Sequence, residues 1–134
     1  MDVEAMATPE TIIVDFVAKG DDEDTWKMVL VEGTWDMPVE HHLRLLQERL
    51  FICVDAALEG QLARKFPETT GKRIIIQVDC YEAPRTEVED FFTRFATGIF
   101  SIPKYRDELE ASSHVQDIRF EINFEVLDNL DTIH

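Results

Sequence analysis

The chain is short of positive charge, glycine, cysteine and long apolar runs, and each shortage excludes something. Against 28 Asp and Glu stand 13 Lys and Arg, a formal net charge of −15 on 134 residues. Phosphate backbones are bound through clustered Lys and Arg that release counterions, so nucleic acid is not expected as a partner. The same repulsion disfavours anionic membrane surfaces, and no segment approaches the roughly 20 apolar residues of a membrane span. Glycine numbers five, and a Gly-rich phosphate loop, a Gly-x-Ser-x-Gly elbow and a Cys-x-x-Cys pair are all missing, so no common catalytic or cofactor signature is read. Cys53 and Cys80 both fall in apolar segments, where a free thiol behaves as a small buried hydrophobe. Met1 to Met6 carry acids where a secretory leader carries bases, so a cytoplasmic protein is expected. In that reducing compartment a structural disulfide is not.

What the chain does have is core material. Apolar residues make up 45%, with nine Phe and two Trp, enough for one folded domain and too much for disorder. After a polar lead over residues 1–10, Thr11 to Ala18 and Thr25 to Glu32 read as two strands. The turn Lys19 to Asp24 joins them as an antiparallel hairpin. Gly33 to Pro38 then breaks the strand, with Asp36 as helix N-cap and Pro38 in the first turn. Leu43, Leu46, Leu50, Val54, Ala57, Leu58 and Leu62 recur at helical spacing to about Phe66, with Gly60 as the expected bend. Arg73 to Cys80 is a third strand, and its three isoleucines predict a central place with burial on more than one side.

Thr86 and Glu89 make a capping box ahead of a second helix with Val88, Phe91, Phe92, Phe95, Ile99 and Phe100 or Ile102 along one stripe. Pro103 ends or kinks that helix, and Lys104 to Ser113 continues as a polar, partly helical stretch. Val115 to Val126 alternates cleanly, with Ile118, Phe120, Ile122, Phe124 and Val126 inward and Asp117, Arg119, Glu121, Asn123 and Glu125 outward. Residues 128–134 read as a frayed tail. The order β-β-α-β-α-β predicts a single α+β domain over residues 11–127, a two-layer sandwich with two main helices on one face of a four-stranded mixed sheet. A long helical crossover permits the second and third strands to be parallel neighbours. Strand order beyond that does not follow from the sequence.

Trp35-Asp36, Leu45-Leu46-Gln47-Glu48-Arg49-Leu50, Phe66-Pro67, Gly71-Lys72 and the Ile-rich strand ending at Cys80, with Pro84 beyond, resemble a family of small uncharacterised bacterial domains. The resemblance covers about Thr11 to Ile102. It implies a fold and a bacterial setting, and no activity or catalytic residue.

Two clusters remain as candidate sites. Asp117, Glu121 and Glu125 lie on the outward face of the last strand, where alternate residues recur about every 6.8 Å and present a carboxylate ladder to a basic protein. The acidic turn Asp21 to Asp24 would extend it, whereas Arg119 interrupts it. Such a charged face also serves simply to discourage aggregation. The second cluster is a strand-end cleft. If the middle strands are parallel, Trp35, Asp36, Asp79, Tyr81 and Glu82 emerge at their carboxyl ends, where carboxylates beside an indole and a phenol suit a cation or acid–base chemistry. The simpler reading makes Asp36 a helix cap and Trp35 and Tyr81 packing residues. Adjacent His41 and His42 point about 100° apart on a helix and lack a ligand four residues on, so no metal site is read. With no cofactor and no catalytic residue assigned, a non-enzymatic interaction protein is expected, an inhibitor or immunity-type partner of a basic protein. A small ligand-binding domain or enzyme using the cleft is the alternative. The chain itself is expected to be a monomer or homodimer.

Overall fold

The computed structural model describes residues 16–33 and 38–125. The expected lead, the first half of the first strand, the Trp35-Asp36 pair with its proposed cap, Val126 and the tail lie outside them. Within them the elements are β1 (Phe16–Lys19), β2 (Thr25–Glu32), α1 (Val39–Glu59), α2 (Gln61–Lys65), β3 (Lys72–Tyr81), α3 (Arg85–Gly98), α4 (Pro103–Ala111) and β4 (Val115–Glu125). Single 3-10 turns at Pro67–Thr69 and Ile99–Ser101 link α2 to β3 and α3 to α4. The fold is α+β, as the sequence predicts, with four helices among the described residues.

The sheet runs β1-β2-β3-β4, antiparallel between β1 and β2 and parallel across the other two pairs. Register fixes its two faces. Trp26 lies opposite Ile74, Leu30 opposite Val78, Ile74 opposite Ile118 and Cys80 opposite Phe124, and these make the inner face. Against it pack Leu46, Leu50, Cys53, Val54, Ala57, Leu58 and Leu62 of α1 and α2, with Val88 and Phe92 of α3, as one core. Ile74, Ile76, Val78 and Cys80 are all 0% exposed, so β3 holds the centre of that core. Truncating a side chain there to alanine costs about 2–5 kcal/mol. An aromatic layer closes the core over β4, where the Phe120 ring meets Phe95 at 5.7 Å and Phe92 at 6.2 Å, edge to face.

Several local expectations change. The capping box does not form, because α3 begins at Arg85 after Pro84 and so carries Thr86 inside its first turn. Glu89 instead lies 3.9 Å from Arg85, one turn back. Likewise Pro38 occupies the cap position of α1, one residue ahead of the first turn, without a side-chain cap bond. Of the α3 stripe Val88, Phe92 and Ile99 are buried, whereas Ile102 is exposed. Burial of the isoleucine run on both sides is not seen: β3 is central, but Ile75 on its other face is only half-buried. That outer face also holds Val29, which is 1% exposed between Phe16 and Gln77 in register.

The long helix breaks where glycine allows it. Gly60 has φ +96°, a left-handed conformation that ends α1 and starts α2. A Cβ there would sit 2.9 Å from the ring of His114, while Gly71, at φ +75°, has open space around it. Gly60→Ala is therefore expected to destabilise by about 2–3 kcal/mol, conformational strain plus clash, and Gly71→Ala by about 1 kcal/mol, strain alone. Chemical denaturation of the two variants checks the difference.

Candidate functional site

The outer face of β4 is built by strict alternation, which carries Asp117, Glu121 and Glu125 to the side of the sheet away from the helices. Register then sets Arg73 beside Asp117, Gln77 beside Glu121, Asp79 beside Asn123 and Tyr81 beside Glu125. The two candidate clusters thus meet. Asp79 and Tyr81 belong to the same polar face as the carboxylate ladder, because odd-numbered β3 residues share its side. The Asp79 carboxylate accepts from Gln77 Nε2 and from Asn123 Nδ2, each at 3.0 Å. This links the two strands between Glu121 and Glu125.

The ladder is partly neutralised. Arg119 Nε lies 3.0 Å from Asp117 Oδ2, and Lys27 Nζ of β2 lies 3.7 Å from Glu121 Oε1. Glu125 is exposed and has no ion partner among the described residues. Beyond the Asp117 end, the turn between β1 and β2 extends the acidic surface. The Asp24 carbonyl accepts the Arg73 N–H at 2.8 Å and its carboxylate lies 3.3 Å from Lys72 Nζ. Hydrogen bonds from the Thr25 side chain and the Asp24 backbone hold the Asp22 carboxyl below its ordinary range.

The strand-end cleft is assembled only in part. Asp79 and Tyr81 point to the outer face, and Glu82 turns the chain with φ +63°. Trp35 and Asp36 are outside the described residues. On the inner side of the same end sits a pair that sequence reasoning missed, a direct hydrogen-bonded ion pair between Glu32 of β2 and Arg49 of α1. Cys80 lies opposite Glu32 in register. Burial, then the charges of Glu32 and Asp79, push the Cys80 thiol up to about 12, so it has no thiolate to offer at neutral pH. Nearby the Arg85 guanidinium lies 4.9 Å over the Phe124 ring.

A second missed group joins α1 to α4. Tyr105 donates its hydroxyl toward Asp55, and the Phe51 ring lies 5.8 Å from that of Tyr105. Burial and then Glu59 raise the Asp55 pKa, opposed by Lys104 and the Tyr105 bond. The signal was available: Asp55 is the one charge in the apolar run Phe51 to Leu58. Among the described residues, no three His, Cys, Asp or Glu side chains stand where they could hold a metal ion. His41 and His42 meet only edge to face at 6.1 Å.

The geometry therefore defines an open α+β sheet with an acidic, cross-linked outer face and a polar strand end. The chain belongs to a family of unknown function, DUF6572, whose model matches residues 6–105. No curated protein and no solved structure matches it. Among the described residues, no helix is long and apolar enough to cross a membrane.

Two outcomes follow from the buried groups. Cys53 and Cys80 are both 0% exposed, so neither should react with an aromatic disulfide reagent in the folded protein, and both should react once denatured. Because the folded pKa of Asp55 is raised above 3.8, the fold tolerates its protonated form better than its ionised form. Stability from this group is present at acid pH and is lost as pH rises through the folded value. Asp55→Asn, which keeps an acceptor for Tyr105, should stabilise at pH 7 by less than about 1 kcal/mol after solvent screening, with the gain vanishing near pH 3. Thermal melts across pH check it.

Proposed function

We propose that this is a non-enzymatic interaction module of the bacterial cytoplasm that binds a basic protein, in the manner of an inhibitor or immunity-type partner, through the outer face of its sheet. One observation carries the reading: Asp79, Asp117, Glu121 and Glu125 share a face that the helices leave open, and the acidic turn at Asp21 to Asp24 prolongs it. A rigid row of carboxylates on a body of net charge −15 steers a basic partner and makes its capture sensitive to salt. Of the basic groups on the face, Lys27 and Arg119 sit against its carboxylates and Arg73 lies beside Asp117 in register, and together they set where a partner's cations fit. The strand end supplies weaker support for an enzyme, since its thiol is buried and protonated and its carboxylate Glu32 is already bound to Arg49.

Affinity capture from lysate of the source organism at low and high salt, read by mass spectrometry, tests this. The expected outcome is a stoichiometric basic protein that is lost at high salt and with Glu121→Lys/Glu125→Lys, and retained with Asp36→Asn. Retention by the double variant and loss with Asp36→Asn would transfer the function to the strand end.

A further inference from the structure

We propose that β4 pairs antiparallel with β4 of a second copy of this chain, in a register that sets Arg119 against a glutamate of that copy. Among the described residues β4 is an edge of the sheet, 11 residues long. A long edge offers a row of backbone donors and acceptors, and most proteins block it. Here the block is local. The register shift beside Lys72 leaves Gln116 as an extra residue, and the Asp117 carboxylate accepts the Ile118 N–H at 2.9 Å. Among the described residues, nothing comparable guards the strand from Arg119 onward.

The backbone phase of that edge follows from one bond. Arg73 donates its N–H to the Asp24 carbonyl beside β2, so odd-numbered β3 residues bond toward β2 and even-numbered ones toward β4. In a parallel ladder, a residue that faces its neighbour bonds to the two residues flanking its register partner. Ile74 lies opposite Ile118 and therefore holds residues 117 and 119. Ile118, Phe120, Ile122 and Phe124 are left with N–H and C=O turned outward. The Asp117 cap on the Ile118 N–H agrees with this independently.

Two copies can pair only if even-numbered residues face even-numbered ones, and directly opposite side chains then share a face. Charge selects among these registers. Centred on Arg119 or on Glu121, like charges meet at the axis and repel. Centred on Phe120, Arg119 meets Glu121 of the partner subunit and Asn123 meets Asp117 of the partner subunit, each twice by symmetry. Centred on Ile122, Arg119 meets Glu125 of the partner subunit and Glu121 meets Asn123 of the partner subunit. Both surviving registers also cover Phe120, Ile122 and Phe124, which are only half-buried in the single chain. The mixed signs on β4 thus do what a uniformly acidic edge could not. They reject the pairings centred on Arg119 and Glu121 and admit the two self-complementary ones centred on Phe120 and Ile122. The pairing adds strands at the edge and leaves Asp79, Glu121 and Glu125 on the outer face, so it does not depend on a basic partner.

Sedimentation equilibrium of the full chain over a concentration series is the test. The interface is one short strand pair, so a weak, concentration-dependent dimer is expected. Arg119→Glu should weaken it by about tenfold, two opposite-charge pairs becoming two like-charge pairs. Restoration by Glu121→Arg in the same chain supports the Phe120-centred register, and restoration by Glu125→Arg the Ile122-centred one. A monomer at every concentration, a dimer indifferent to Arg119→Glu, or rescue by neither swap would overturn the proposal. These residues are exposed, and an unchanged circular dichroism spectrum confirms that each variant is folded.

Discussion

The parallel register of β3 between β2 and β4 is the constraint on which everything else rests. It aligns Ile74, Ile76, Val78 and Cys80 with Trp26, Met28, Leu30 and Glu32 on one side and with Ile118, Phe120, Ile122 and Phe124 on the other. One continuous apolar surface results, and the helices can cover it only from one direction. A shift of one residue in either ladder would turn an isoleucine row outward and a charged row into the core. The same register carries Asp79 to Asn123 and Lys27 toward Glu121. Core and polar face are two readings of one alignment.

Much of this was legible because period-2 alternation is strong wherever one face is buried. β4 declares itself from Asp117 to Glu125, and β3 from Ile74 to Cys80. The break of the long helix was visible at Gly60, since a residue without Cβ is what a left-handed turn beside His114 requires. Helix starts were less legible. Pro84 and Pro38 fix the backbone at the caps of α3 and α1, and the Thr86 and Glu89 pattern was overridden by that local geometry. The separation of the strand-end cluster also failed in part. Two residues in alternate positions of a strand, Asp79 and Tyr81, look to the end of the sheet only if one ignores which face they occupy. Glu32 and Arg49 were hidden because they are distant from each other in sequence, whereas Asp55 showed itself as the one charge in the apolar run Phe51 to Leu58 and only its partner Tyr105, on another helix, was hidden.

Charge is organised as well as abundant. Arg119 meets Asp117 within β4, whereas three other cations meet carboxylates across elements: Lys27 with Glu121, Lys72 with Asp24, and Arg49 with Glu32. All but the last are surface pairs, worth at most about 1 kcal/mol each. Their effect is to break the acidic field into places where positive charge is already present and places, such as Glu125, where it is absent. A body of net charge −15 resists association in general. The pattern, more than the total, decides what approaches.

The Glu32–Arg49 pair is of another kind. Glu32 is 9% exposed and terminates β2 on the core side, so its charge is held where water is scarce. Removing two ions from water offsets much of their attraction, and an apolar pair of similar volume would stabilise as well or better. What the ion pair adds is direction, since a guanidinium and a carboxylate bond in few geometries whereas leucines slide. It fixes the middle of the long helix over the ends of β2 and β3, beside a cysteine whose thiol the Glu32 charge helps to keep protonated. With Glu82 in a left-handed turn and Arg85 over Phe124, that end of the sheet is set by polar contacts. The rest of the interior is set by packing. A helix anchored near its middle by an ion pair and along its length by Leu46, Leu50 and Val54 has little freedom to rotate on the sheet, and this helps to hold the strands beneath it in register.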